Sequence, residues 1–200
     1  MKNTSALLIF AKAPGKDVKT RLAGSLSDQE RIALYERLLV DTIRKLRKMR
    51  GIDTFIFYSP RDRKEYFRKF RLALYPQAEG DLGARMASAF DTILKKGYRE
   101  AVMVGADIPG LTSGTISRAF RLLERHDVVF GPATDGGYYL IGLKQPDRDL
   151  FRGIEWSTAH TLQQSIRRAE QENMLIGYTE YLSDVDTMRD AEETGVLNGQ

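Results

Sequence analysis

Short apolar runs alternate along the chain with stretches whose apolar residues recur every three or four positions. Residues 6–10, Ala-Leu-Leu-Ile-Phe, are continuously apolar, the pattern of a central strand covered on both faces. A helix is expected from Ser27. Ser27 and Glu30 have capping-box spacing, and Ile32, Tyr35, Leu38, Leu39, Thr42, Ile43, Leu46 and Met49 follow at helical intervals up to the stop at Gly51. The same reasoning predicts strands at 54–58, 72–75, 101–105, 127–130, 138–143 and 174–178. Helices are predicted at 61–70 as a charged surface helix, then at 82–96, 113–125, 159–172 and 188–194. Within 82–96 the residues Met86, Phe90, Ile93 and Leu94 share one face, and Gly97 stands where a helix ends.

Strands separated by helices imply right-handed crossovers. The fold class expected is therefore α/β, a three-layer α/β/α arrangement on a mostly parallel, Rossmann-like sheet. No linker, repeat or low-complexity tract divides residues 1–200, which read as one domain. Open sheets of this kind bind ligands beyond the carboxyl ends of their strands, so the loops after the strands are where chemistry is sought.

Composition narrows that chemistry. The chain has no cysteine, which excludes disulfides, thiolate zinc sites and cysteine nucleophiles and suits a reducing cytoplasm. Its two histidines, His126 and His160, are not at metal-ligand spacing. Any metal must be held by oxygen. The longest apolar run is too short to span a bilayer and no secretion signal is visible, so membrane insertion is not expected and the cytosol is the expected compartment. The net charge of +4, from 31 basic and 27 acidic residues, is too small an excess to argue for nucleic acid by itself.

Four loops carry candidate groups. After the first strand, residues 11–22 set Lys12, Lys16, Lys19 and Arg21 around Pro14 and Gly15, a combination suited to the oxygens of a di- or triphosphate, with a solvated basic loop as the alternative. Neither common Gly-rich nucleotide motif is present. After the fourth strand, Gly105-Ala106-Asp107-Ile108-Pro109 places the Asp107 carboxylate at the sheet's rim, where it would either bind a hard cation or cap a turn. Residues 131–140, Gly-Pro-Ala-Thr-Asp-Gly-Gly-Tyr-Tyr-Leu, read either as a tight hairpin on Asp135-Gly136 or as a loop opened by Gly136 and Gly137 to an approaching molecule. Asp184 and Asp186 share a face in extended backbone, where they could complete a metal site, or Asp186 or Thr187 caps the C-terminal helix.

Together these stretches resemble a prokaryotic glycosyltransferase-like family of the nucleotide-diphospho-sugar transferase superfamily, related to the 2-phospho-lactate guanylyltransferases. The likeness rests on residues 10–14 (Phe-Ala-Lys-Ala-Pro), 18–22 (Val-Lys-Thr-Arg-Leu), 80–86 (Gly-Asp-Leu-Gly-Ala-Arg-Met), 105–109, 131–143, 156–158 (Trp-Ser-Thr) and 184–187 (Asp-Val-Asp-Thr). It implies a GT-A-like sheet with the nucleotide near the first strand. Lys12, Lys19 and Arg21 would contact phosphate, Gly83 and Arg85 would lie near the nucleotide, and Asp107 with Asp186 would hold Mg²⁺ or Mn²⁺. Asp135 and Trp156 would face the acceptor, beside Gly136 and Gly137. The first loop departs from the family, which carries a second proline before its glycine. Here Pro14-Gly15-Lys16-Asp17 is one residue shorter.

The leading expectation is a metal-dependent glycosyltransferase that moves a sugar from a nucleotide sugar to a small-molecule acceptor, with Asp135 as base, the metal on Asp107 and Asp186 bridging the phosphates of the leaving diphosphate, and Lys19 and Arg21 adding positive charge there. The alternative is a nucleotidyltransferase joining a nucleoside triphosphate to a phosphorylated acceptor with release of pyrophosphate. A non-catalytic nucleotide binder, or a nucleic-acid binder using the basic stretch 61–71, is the remaining reading; no nucleic-acid module is recognisable.

Overall fold

A computed structural model describes residues 3–183, 185, 188–194 and 196. Seven strands form one sheet in the order β3-β2-β1-β4-β6-β5-β7. They are β1 (Ser5–Lys12), β2 (Ile52–Ser59), β3 (Ala73–Pro76), β4 (Glu100–Gly105), β5 (Val128–Pro132), β6 (Tyr138–Leu143) and β7 (Ile176–Tyr178). All run parallel except β6, which is antiparallel to both β4 and β5. The α/β class and mostly parallel sheet expected from the pattern are what the chain adopts.

The reason lies in β1. Leu7 and Ile9 enter one core and Ala6 and Leu8 the opposite one, and all four are fully buried. Alternate side chains of a strand point to opposite faces, so an apolar run with no polar interruption demands cover on both sides. Helix α1 (Asp28–Leu46) and α4 (Ser113–Leu123) supply the first cover, with the short α2 (Lys64–Arg68); α3 (Leu82–Leu94) and α5 (Thr161–Gln171) supply the second. Each large aliphatic side chain so buried contributes roughly 1.5–3 kcal/mol. A sixth helix, α6 (Met188–Glu193), follows near the C-terminus.

Helix α1 starts as its sequence predicts. The Ser27 hydroxyl accepts from the Glu30 N–H and the Glu30 carboxylate accepts from the Ser27 N–H at 2.8 Å. Its inward face is Leu34, Tyr35, Leu38, Leu39, Thr42, Ile43 and Leu46. The helix ends at Leu46 rather than running to Gly51, which instead takes φ 75° in the turn before β2.

The helix expected over 61–70 is a correction. A 3-10 turn at Arg61–Arg63 leads into only five α-helical residues, and Arg71 has φ 56°. Two aromatics dictate this. Phe67 and Phe70 are buried, with Phe67 against Tyr58 of β2, so the segment is pinned to the sheet and is not a free charged helix. Among the described residues, no helix is long and apolar enough to cross a membrane.

Candidate active site

The parallel strands β1 and β4 are neighbours, and the loops leaving their carboxyl ends meet. Helix α1 holds the first of them from below. Tyr35 is buried, and its hydroxyl donates to the Lys12 carbonyl at 2.9 Å while accepting from the Lys12 N–H at 3.1 Å. One turn earlier, the buried Arg31 donates to the carbonyls of Val18 at 2.6 Å and Lys16 at 3.2 Å and pairs with Asp28. Burial, first of all, drives the Tyr35 hydroxyl far above its ordinary value, so it remains a neutral donor. Arg31 and Tyr35 therefore shape the basic loop; the sequence names Tyr35 only as a helical core position and leaves Arg31 unnamed. The available signal was a cation at 31, a position the helical period turns inward.

Lys19 is the loop's pivot. It takes left-handed backbone, φ 48° and ψ 42°, just before the 3-10 turn Thr20–Leu22. For a residue with a β-carbon this costs on the order of 1–3 kcal/mol. The turn carries the side chain inward: the Lys19 side chain is only 3% exposed and its Nζ lies 2.5 Å from Asp107 Oδ2. Lys12 is closer to solvent and pairs with Asp17 at 2.5 Å, an arrangement that holds the Asp17 carboxyl below the usual range.

Two cavities adjoin at Asp107. One, of about 340 Å³, is lined by Lys12, Asp17, Lys19, Gln77 and Arg85 among others. The second, of about 240 Å³, is lined by Arg21, Asp135, Gly137, Tyr138, Trp156 and Thr158 with apolar walls from Leu82 and Met86. Gly105 and Asp107 belong to both. Of the residues expected at the site, Lys12, Lys19 and Arg85 thus gather on one side, and Arg21, Asp135, Gly137 and Trp156 on the other. Arg21 was expected with the phosphate-binding lysines and instead opens onto the second cavity. Asp186 lies outside the described residues.

Two glycines have internal reasons to be glycine. Gly136 has φ 87°, and a β-carbon there would sit 2.2 Å from the Ala159 carbonyl oxygen; its own carbonyl accepts from Leu162 N at 2.9 Å. Gly83 is buried beneath Trp156, whose ring a β-carbon would meet at 2.6 Å. Neither is among the residues lining these two cavities. The segment 131–140 is a hairpin joining β5 to β6, closed by Asp135 Oδ1 accepting from Gly137 N at 2.8 Å. The two readings of that segment merge, because the hairpin's Asp135 and Gly137 also face the second cavity.

Trp156 forms the far wall. Its ring stands edge-on to Tyr138 at 6.4 Å and beside Phe151 at 6.5 Å, and its indole Nε1 is buried without a hydrogen-bond partner. Ser157 next to it has φ 62°. As for a metal, the described residues contain no group of three or more His, Cys, Asp or Glu side chains able to hold one. Asp107 and Asp135 opening on one cavity is nevertheless a donor set that fits a hard cation taking one or two protein carboxylates and completing its shell with phosphate oxygens and water.

Over 141 residues the chain is 27% identical to the 2-phospho-L-lactate guanylyltransferase of Methanocaldococcus jannaschii, a match covering 70% of this chain and 60% of the relative. A 3-phospho-D-glycerate guanylyltransferase from Phenylobacterium zucineum is 28% identical, with 68% and 65% covered. The matches thus span slightly under two thirds of these relatives' lengths. A solved structure from Desulfovibrio desulfuricans, carrying a provisional nucleotide-diphospho-sugar transferase name, superimposes with a TM-score of 0.86 at 31% identity, covering 92% of this chain and 82% of its own. A family model described as "Uncharacterized protein conserved in bacteria (DUF2064)" matches residues 42–158, more than half of the sequence. The chain belongs to the DUF2064 family.

Proposed function

We propose that this chain is a nucleotidyltransferase that joins a nucleoside triphosphate to a small phosphorylated acceptor and releases pyrophosphate. The observation that carries this reading is the Lys19–Asp107 pair at the junction of two cavities, one rimmed by cations and the other walled by Trp156 and Tyr138. Both curated relatives are guanylyltransferases by name with a phosphorylated acceptor, which favours this reaction over the glycosyl transfer suggested by the sequence.

In the reaction an oxygen of the acceptor phosphate attacks the α-phosphorus of the triphosphate. A P–O bond forms there and the bond to the pyrophosphate leaving group breaks. A phosphate monoester has a second pKa near ~6, so at neutral pH its oxygen is already largely deprotonated. No protein base is required. Asp135, expected as a base for a sugar hydroxyl, is assigned here to binding, in keeping with its role in closing the hairpin.

Lys12, Lys19 and Arg85 hold the triphosphate and offset the charge that grows on the leaving group. Arg21 receives the acceptor's charge from the opposite side, and Trp156 excludes water from that cavity. Mg²⁺ or Mn²⁺, held by Asp107 with Asp135 or Asp186, would supply further charge neutralisation when bound.

Product analysis tests the reading. Purified protein with GTP, Mg²⁺ and 2-phospholactate or 3-phosphoglycerate should release pyrophosphate and form a product in which a diphosphate bridge joins guanosine to the acceptor. Release of a nucleoside diphosphate from a nucleotide sugar, with no pyrophosphate from any of the four triphosphates, would replace it with glycosyl transfer.

A further inference from the structure

Gln77 follows β3 directly and is 6% exposed. Its backbone N–H extends the β2–β3 ladder by donating to the Tyr58 carbonyl at 2.9 Å. Its side chain does something that ladder does not need. The amide Nε2 donates to the Phe57 carbonyl at 3.0 Å and to the Ala11 carbonyl at 3.3 Å, tying the ends of β2 and β1 together. With both amide protons committed, Oε1 has one orientation left, and there it accepts from Arg85 Nη1 at 3.0 Å.

Arg85 stands on the first turn of α3 and lines the same cavity as Lys12 and Lys19. Its Nε is buried and has no hydrogen-bond partner. A guanidinium held at one nitrogen and stripped of water at another is a cation desolvated before any ligand arrives. An incoming anion then gains more from it than from a solvated arginine, because the reorganisation has already been made.

We infer that Gln77 is a positioning residue for the nucleotide, acting through Arg85: its amide couples the ends of β1 and β2 to the guanidinium and fixes where that cation meets the triphosphate. The inference rests on the nucleotidyltransferase reading. The amide is required chemically. A carboxylate at 77 would set oxygen against the Ala11 and Phe57 carbonyls and would neutralise Arg85, whereas an apolar side chain of the same length would leave the guanidinium unanchored.

A double-mutant cycle on GTP binding with the full chain and Mg²⁺ tests this, using Gln77→Met, Arg85→Met and the pair together. Gln77→Met should weaken GTP binding about tenfold and Arg85→Met by at least as much, while the double variant binds within about twofold of Arg85→Met alone. Turnover should show the GTP KM raised and kcat lowered in the same direction as in Arg85→Met, with the acceptor KM little changed. If Gln77→Met does not fold, Gln77→Leu, which likewise removes the amide without adding charge, takes its place with the same expected coupling to Arg85. Effects that multiply in the double variant, or a Gln77 variant that binds GTP like the parent, would overturn the inference while leaving the proposed reaction standing. A parent protein that binds no nucleoside triphosphate would overturn both.

Discussion

The two cavities that meet at Asp107 are built in opposite ways. The Lys12–Lys19 side is made of charge: its cations are paired with Asp17 and Asp107 and its backbone is held by buried polar groups, Tyr35, Arg31 and Gln77. The Trp156 side is made of shape: rings, methylenes and a hairpin whose glycine admits the next segment's backbone. The difference teaches what each half can select. Charge paired with charge grips phosphate oxygens whatever they are attached to, while close-packed walls distinguish the size of the group beside them.

The sharpest way to break this contrast is at the shared pair. Asp107→Asn and Lys19→Gly should each lower turnover by about 10²- to 10³-fold, the range for a well-aimed electrostatic group. Lys19→Gly separates charge from backbone. Glycine accepts φ 48° without strain, so this variant should melt close to the parent while losing activity, whereas Lys19→Ala should melt lower as well. Calorimetry and pyrophosphate release on the same samples check both. Full activity in Lys19→Gly would show that only the turn matters.

Next in size is a change on the shape side. Gly83→Ala would put a β-carbon 2.6 Å from the Trp156 ring and 2.8 Å from the Phe151 carbonyl oxygen. Overpacking of this kind costs about 1–3 kcal/mol. Because the nearest side chain is Trp156, a wall of the acceptor cavity, the acceptor KM should rise while GTP affinity holds. A rise in the GTP KM instead would mean that the cavities do not divide the substrates as proposed.

These predictions also mark how much the sequence disclosed. Residues 6–10 announced a central strand because no polar residue interrupts them, and Ser27 with Glu30 announced a helix start because capping is local chemistry. Asp107 was legible for a similar reason, since a carboxylate at the end of a buried strand has only the rim to occupy. The features that local sequence does not display are all long-range. Gly136 faces the Ala159 backbone, Gly83 faces Trp156 and Phe151, and Arg21, two residues after the left-handed Lys19, lines the second cavity. Likewise the stretch 61–70 counts as charged by composition, yet Phe67 and Phe70 decide its path. Gln77 carries no local motif at all. Its signal is three partners drawn from β1, β2 and α3, which meet only when the sheet is assembled.

A smaller effect tests whether the capping motif is separate from the site. Ser27→Ala removes one half of the capping box and should cost about 1 kcal/mol of stability, with KM and kcat unchanged. Since α1 carries Arg31 and Tyr35 to the first loop, a shift in GTP affinity would show that fraying at Ser27 travels one turn to the site.

The smallest expected effect concerns Asp17, and its sign separates two roles for the Lys12–Asp17 pair. The carboxyl sits below its ordinary value of 3.8, chiefly through its hydrogen bond with Lys12. A carboxyl lowered by folding stabilises the native state above its unfolded pKa, and that contribution disappears as pH falls through the lower folded value. Asp17→Asn should therefore melt slightly below the parent at neutral pH and equally once the pH is well under 3.8. The pair is largely solvent-exposed, which keeps the difference small. Binding should move the other way. Asp17 competes with the triphosphate for Lys12, so its removal frees that cation, and GTP should bind a few-fold more tightly at low salt, with the gain screened at high salt. Weaker binding in Asp17→Asn would instead make Asp17 the brace that aims Lys12 into the cavity.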